Sequence, residues 1–519
     1  MKAEEDSVAA SAISGTGWNF LGAIAASLTS LAISIFLARI LGPRPYGQLI
    51  IAGTIYGFVN LFVDGGFGQA LIQKASLHQR EIRRTFTLQL AAGATTTSMI
   101  YLLAPWIARL FHDPTATPVI RAMSFMIVIQ SLGLVSGALL RRQMNFKVIQ
   151  RAGLVSLFIG NALVTVPLAL RGAGVWSLVS GFLCQCAINS LLLYLAARHS
   201  LLPSFGFSAR STTAFGSTIV ANNLVNWGHA NLDNLAASQL GPLGLGLYGR
   251  ACNFVYQPVS AAVSSLQSVL FSTAAKTIDK QRLMADLTTG LIAAVFGVLG
   301  SAYAVLALIP DTTVLGLFGD KWAGVIPLML PLAIAMPFYA VHCLLGPIVC
   351  GLGRPTWEFW PQAISCGVAA IAFFAAARYS IAAIAWTLLA IMLLRCSLIA
   401  TFAFRFLKIR FTRVIGVLAK RAAFSIAFGA LAWTADQVLR VPFHLEAGPR
   451  LALLMVFCSA TLGAMVWSAG DVVVGREAIA FLAAYASHLP VAYARQLRLQ
   501  AGRGPAIIAS ARPMRLQVR

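Results

Sequence analysis

Apolar residues come along this chain in long unbroken blocks, separated by short clusters of charged residues, proline and glycine. Gly15 to Ala38 spans 24 residues without a charge, and Leu287 to Pro310 another 24. A helix needs about 20 such residues to cross hydrocarbon. Backbone amides find no water inside a bilayer, so a spanning segment is a helix or a strand of a closed barrel, and barrel strands are only about ten residues long. The pattern predicts an all-α polytopic transmembrane bundle. Its blocks fall near 16–40, 48–72, 85–108, 119–140, 152–170, 174–197, 212–239, 246–271, 287–310, 324–350, 360–377, 379–404, 413–437 and 450–470, about 14 helices within a range of 12 to 14. The weakest boundary is Ala377-Arg378, and the penultimate block carries Lys420 and Arg421 inside it.

Composition and charge sharpen this picture. Of 519 residues 58% are hydrophobic and 11% charged, against about 25% charged in a soluble protein. The net charge of +23 would point to nucleic acid in a soluble chain, but the basic residues lie between the apolar blocks. With the N-terminus in the cytoplasm, cytoplasmic segments hold 28 of the 39 Lys and Arg residues and external loops nine. That is the positive-inside bias, so the charge encodes orientation and no nucleic-acid partner is expected. The basic tail around Arg495, Arg498, Arg503, Arg512, Arg515 and Arg519 is read as a neighbour of anionic membrane lipids. The acidic, polar N-terminus lacks the basic region of a signal peptide and is read as an uncleaved cytoplasmic tail. All eight cysteines fall within or at the ends of apolar blocks, which indicates neither a disulfide framework nor a metal site.

An internal repeat appears at an offset of 199 residues: Ala38, Leu41, Gly42, Pro43 and Gly47 align with Ala237, Leu240, Gly241, Pro242 and Gly246. Each copy follows the first helix of a six-helix block, and an even number of helices separates them, so both halves have the same orientation. The expected organisation is 1–205 and 206–404 as two six-helix halves around a central cavity, 405–470 as two additional helices, and 471–519 as a basic cytoplasmic tail. Gly244, Gly246 and Gly249 match the dinucleotide fingerprint, but no strand precedes them, and they are read as a tight outer turn.

Ionisable residues inside spans are costly and mark function by default: here Asp64, Asp233, Arg250 and Arg395, with Arg39 snorkelling at a helix end. Asp64 lies beside Gly65, Gly66 and Gly68, which loosen the helix, and is a candidate for coupling; the alternative is a solvated carboxylate at a helix end. The seventh helix is rich in asparagine, and Asn222, Asn226 and Asp233 share one face that lipid disfavours. Arg250 lies across the turn from Asp233, and the two are a candidate ion pair that either pins the hairpin or serves a substrate.

Ala38 to Gly47, Asp64 to Gln73 and Leu139 to Lys147, then Asn231 to Leu235, Leu245 to Ala251 and Pro258, resemble the Wzx-type polysaccharide-transport flippases of the multidrug/oligosaccharidyl-lipid/polysaccharide exporter superfamily, closest to the exopolysaccharide branch. Gly249 departs from the small hydroxyl residue frequent there. The resemblance implies a pair of six-helix bundles alternating access to a cationic cavity, and translocation of an undecaprenyl-diphosphate-linked repeat unit across the bacterial inner membrane. Such a cargo needs buried cations and sugar-binding amides, which Arg250, Arg395, Asn222, Asn226 and Asp233 supply as the candidate substrate-binding set. Lipid-linked oligosaccharide and membrane lipids are the expected partners, with a polysaccharide polymerase and glycosyltransferases alongside. No catalytic residue or cofactor is expected; proton, sodium ion and membrane potential all stay open for coupling. A multidrug or lipid II exporter of the same superfamily is the second reading. A membrane polymerase or ligase is the third, against which the outer loops near 311–323 and 441–449 show no paired carboxylates or metal-ligand spacing.

Overall fold

The computed structural model describes residues 29–30, 32–63, 71, 78–200, 202, 213–276, 281–353 and 356–468. Among them the regular structure is helical: α1 (Ala32–Leu41), α2 (Pro43–Val63), α3 (Gln79–Leu110), α4 (Thr117–Arg142), α5 (Phe146–Leu170), α6 (Val175–Ala197), α7 (Thr213–Ala237), α8 (Gly241–Lys276), α9 (Gln281–Leu308), α10 (Pro310–Phe318), α11 (Ile326–Gly351), α12 (Thr356–Ala376), α13 (Ile381–Leu407), α14 (Phe411–Arg440) and α15 (Ala447–Ser468). Every apolar block carries one of these helices, and ten described helices are long and apolar enough to cross a bilayer. The break at Arg378 is real: α12 closes at Ala376, and Ser380 caps α13 by accepting a hydrogen bond from the Ala383 amide at 3.1 Å. α14 runs unbroken through Lys420 and Arg421.

Two expectations are corrected. The segment after Pro310 is not an open outer loop but the helix α10, started by Pro310 and by Asp311 in its first turn. Gly244, Gly246 and Gly249 do not form a turn; they lie in α8, because the reversal is taken earlier, by a tight turn at Ser238–Leu240 and by Gly241 at φ +78°. Gly42 occupies the equivalent place before α2 at φ +72°, so both copies of the Gly-Pro motif turn the chain in the same way.

The chain divides into two compact units, Met1–Arg250 and Ala251–Arg519. In the first, α4 is the central helix. Ser131 of α4 fills the space a side chain at Gly93 of α3 would need, and Ser190 of α6 donates to the Ile129 carbonyl at 2.9 Å beside Gly133. α5 contains a wider π turn at Ile159–Thr165, where Thr165 Oγ1 donates to the Gly160 carbonyl at 3.0 Å. In the second unit the core helix is α11: 72% of its most apolar stretch is buried, against 11% for α15. α9 carries a second π turn, Val295–Leu299, and the Phe296 carbonyl there accepts from Ser425 Oγ of α14 at 2.8 Å. A carbonyl freed by irregular backbone needs such a partner inside a membrane, and this one docks α14 onto α9.

Candidate functional site

The α7–α8 hairpin places Asp233 four residues before the end of α7, where it is buried. Tyr248 Oη of α8 donates to Asp233 Oδ2 at 3.0 Å, and the Asn234 amide donates to Oδ1 at 2.8 Å. Arg250 does not join them. Its guanidinium forks onto Ser34 of α1, with Nη1 donating to Oγ and Nη2 to the carbonyl oxygen at 2.7 Å. It also lies 5.2 Å over the Tyr46 ring of α2. The helix explains the separation: residues 248 and 250 are two apart, about 200° around the axis, so Tyr248 faces α7 while Arg250 faces α1 and α2. The candidate Asp233–Arg250 ion pair is thus replaced by two separate sets of partners.

The structure describes only part of the expected polar face of α7. Asn226 is exposed, whereas Asp233 seven residues on is buried under Tyr248. Asn231 donates to the Trp227 carbonyl of its own helix at 3.0 Å. Trp227 meets α2, donating from Nε1 to the Thr54 carbonyl at 3.3 Å with its ring 4.9 Å from that of Phe58. The side chain of Asn222 and the whole of Asp64 lie outside the described residues.

In the second unit Arg395 is 7% exposed, near the middle of α13. Its Nη2 stands 3.1 Å from His342 Nε2 of α11. Tyr256 of α8, Tyr339 and Cys343 of α11 and Cys366 of α12 lie near the same guanidinium, and the Tyr256 and Tyr339 rings meet edge to face at 5.0 Å. Among the described residues no carboxylate pairs with Arg395, and its Nε has no hydrogen-bond partner. An arginine at the centre of a spanning helix costs about 2.5–3.5 kcal/mol on insertion scales, and residues kept at that cost face partners or substrates. Pro337, two residues before Tyr339, removes one backbone donor from α11 next to this cluster.

Comparison with known sequences settles the class of this molecule. Residues 36–327 match the model of the family described as polysaccharide biosynthesis protein. The chain belongs to that family. Among its relatives are the succinoglycan biosynthesis transport protein ExoT of Rhizobium meliloti, 27% identical over 66% of this chain and 70% of its own, and the lipopolysaccharide biosynthesis protein WzxC of Escherichia coli, 23% identical over 67% and 71%. The fold is similar to that of a lipid II flippase MurJ solved in an inward closed conformation, with a TM-score of 0.66 at 10% identity over 88% of this chain and 99% of that one. This family member is a multi-pass membrane protein, with ten described helices long and apolar enough to cross a bilayer. Asp233 and Arg250 fall within the matched region, while His342 and Arg395 lie beyond it.

Sequence reasoning named Arg395 and Arg250 but not the groups around them. His342 had a local signal, an ionisable side chain inside an apolar block, and belonged beside the buried arginines and aspartates. Ser34 and Tyr46 had none, because serine and tyrosine are ordinary residues in spanning helices.

Proposed function

We propose that this chain is a flippase that carries an undecaprenyl-diphosphate-linked oligosaccharide repeat unit from the cytoplasmic to the periplasmic leaflet by alternating access, for polysaccharide assembly. Family membership and the transport role named for ExoT support the class. The observation that carries the cargo is Arg395, a buried guanidinium without a carboxylate partner among the described residues. A diphosphate cannot cross hydrocarbon unaided, and a planar fork matches its oxygens with two charge-assisted hydrogen bonds. Arg250 fits a positioning role better, since Ser34 and Tyr46 already hold its fork. Asn222, Asn226 and Asp233 are secondary candidates for sugar contacts. The polymerase and glycosyltransferases that use and supply such a unit are the proposed partners.

Inactivating the gene should make cells accumulate lipid-linked repeat units and lose polysaccharide, with both effects reversed by the wild-type chain. At equal abundance, Arg395→Ala should leave less than about a tenth of wild-type transport, and Arg395→Lys, which keeps the charge without the fork, should lose a few-fold. Wild-type transport by Arg395→Ala would remove this residue from the site. The MurJ-like fold favours a lipid II exporter as the second reading. Rescue of cells depleted of their own lipid II flippase would select it.

The Lys and Arg distribution supports a cytoplasmic position for both termini. In a cysteine-free background, cysteines at Lys147 and Lys408 should resist a membrane-impermeant thiol reagent, while cysteines at Arg171 and Tyr379 should react; all four positions are exposed. Reaction at Lys147 and Lys408 with protection at Arg171 and Tyr379 would invert the orientation.

A further inference from the structure

The contact between Arg395 and His342 constrains the proton on the imidazole. A guanidinium is always charged and has no acceptor atom, so at 3.1 Å His342 Nε2 has to be the acceptor, which makes the imidazole neutral with its proton on Nδ1. Adding a proton at Nε2 turns this hydrogen bond into two cations face to face. An anion between them reverses the sign, because it is attracted to both. We propose that Arg395 and His342 together form a proton-linked site for a diphosphate, in which binding of the anion breaks the Arg395–His342 hydrogen bond and brings one proton onto His342 Nε2. This rests on the flippase reading and adds to it the proton as the linked ion and His342 as a residue that touches the cargo.

The surroundings support the linkage. α8 contributes Tyr256, α11 itself Tyr339 and Cys343, α12 Cys366 and α13 Arg395. Glu358 of α12 accepts from Cys350 Sγ and from Gln362 Nε2. α9 contributes Tyr303, whose hydroxyl donates to the Val255 carbonyl, and Asp286, half-buried and paired with Arg413 at 3.1 Å. Asp311 of α10 pairs with Arg440 at 3.7 Å. Asp286 and Asp311, the described aspartates on α9 and α10, are thus already paired with arginines, and an incoming anion would stabilise a second cation beside Arg395. His342 and Arg395 are both buried, and each lies at least nine residues from the ends of its helix, about 13 Å at 1.5 Å per residue.

Reciprocity of binding turns this into a measurement: if the anion brings a proton, lowering pH must tighten the anion. The probes are farnesyl diphosphate and inorganic pyrophosphate, titrated calorimetrically into the purified full-length protein at pH 8, 7 and 6. Buffers of different ionisation enthalpy report protons taken up. Farnesyl diphosphate should bind up to about tenfold more tightly per unit fall in pH, with close to one proton taken up. His342→Gln retains an acceptor for Arg395 without a titrating group; it should lose both the pH slope and the proton uptake. Arg395→Gln should bind weakly at every pH. Pyrophosphate binding with the same slope assigns the site to the diphosphate group alone; a slope seen only with farnesyl diphosphate assigns it to the lipid-linked form. Both outcomes uphold the linkage.

Wild-type binding without a slope or proton uptake, or a slope that survives in His342→Gln, overturns the proton linkage and leaves the flippase reading standing. No binding of farnesyl diphosphate or pyrophosphate by the wild type at any pH overturns both. Proton uptake by the wild type needs no variant, so the test holds even where His342→Gln fails to fold.

Discussion

Alanine at Gly47 or at Gly246 should each cost about 3 kcal/mol or more, the upper end of the over-packing range, because the obstacle is backbone rather than a movable side chain. A Cβ on Gly47 would stand 1.9 Å from the Pro242 carbonyl oxygen, and one on Gly246 would stand 2.0 Å from that of Pro43. The first turns of α2 and α8 therefore touch through the two copies of the same motif, each glycine under the other copy's proline. α2 and α8 would have to separate to admit either methyl group, and once separated they admit the second at little further cost. The double variant should thus melt only slightly below either single one. Thermal melting followed by size exclusion in detergent checks this, with Gly53→Ala and Gly367→Ala as controls, since a Cβ at either of those positions meets nothing within 4 Å. A Gly47→Ala variant that melts with the controls would show that this crossing is not close in the folded protein.

Removing one member of the buried pair Asp436–Arg450 should destabilise the protein by about 3–5 kcal/mol, the range for leaving a buried charge uncompensated. Asp436 of α14 accepts from Thr312 Oγ1 of α10 at 2.8 Å, and Arg450 Nη1 of α15 stands 3.9 Å from the same oxygen. That spacing makes the pair a charge match without a hydrogen bond, and both side chains are buried. Asp436→Leu and Arg450→Leu should each loosen the last two helices from α10, where Ala447 and Leu451 also close over Gly316. The double Leu variant removes both charges and should recover most of the loss. Limited proteolysis between α14 and α15, together with the melting temperature, reads the effect. A double variant no better than the singles would mean that Asp436 and Arg450 act independently.

Much of the fold is a local property of the sequence. Bilayer thickness demands about 20 apolar residues per crossing, so blocks such as Leu287 to Pro310 announce a helix without reference to any other part of the chain. The repeated Gly-Pro turn is local too, since Gly42 and Gly241 are chosen for a backbone angle. The site was legible only as residue types: Arg395 stood out because a charge inside an apolar block is expensive wherever it points. What the sequence does not contain is direction. Each residue turns a helix by about 100°, so an error of one position moves a side chain to a different neighbour. That is why Asp233 meets Tyr248 and not Arg250, and why Arg250 meets Ser34, 216 positions away. The partner of Arg395 was hidden for the same reason: His342 is 53 residues distant, on another helix, and only the packing of α11 against α13 brings its Nε2 to the guanidinium.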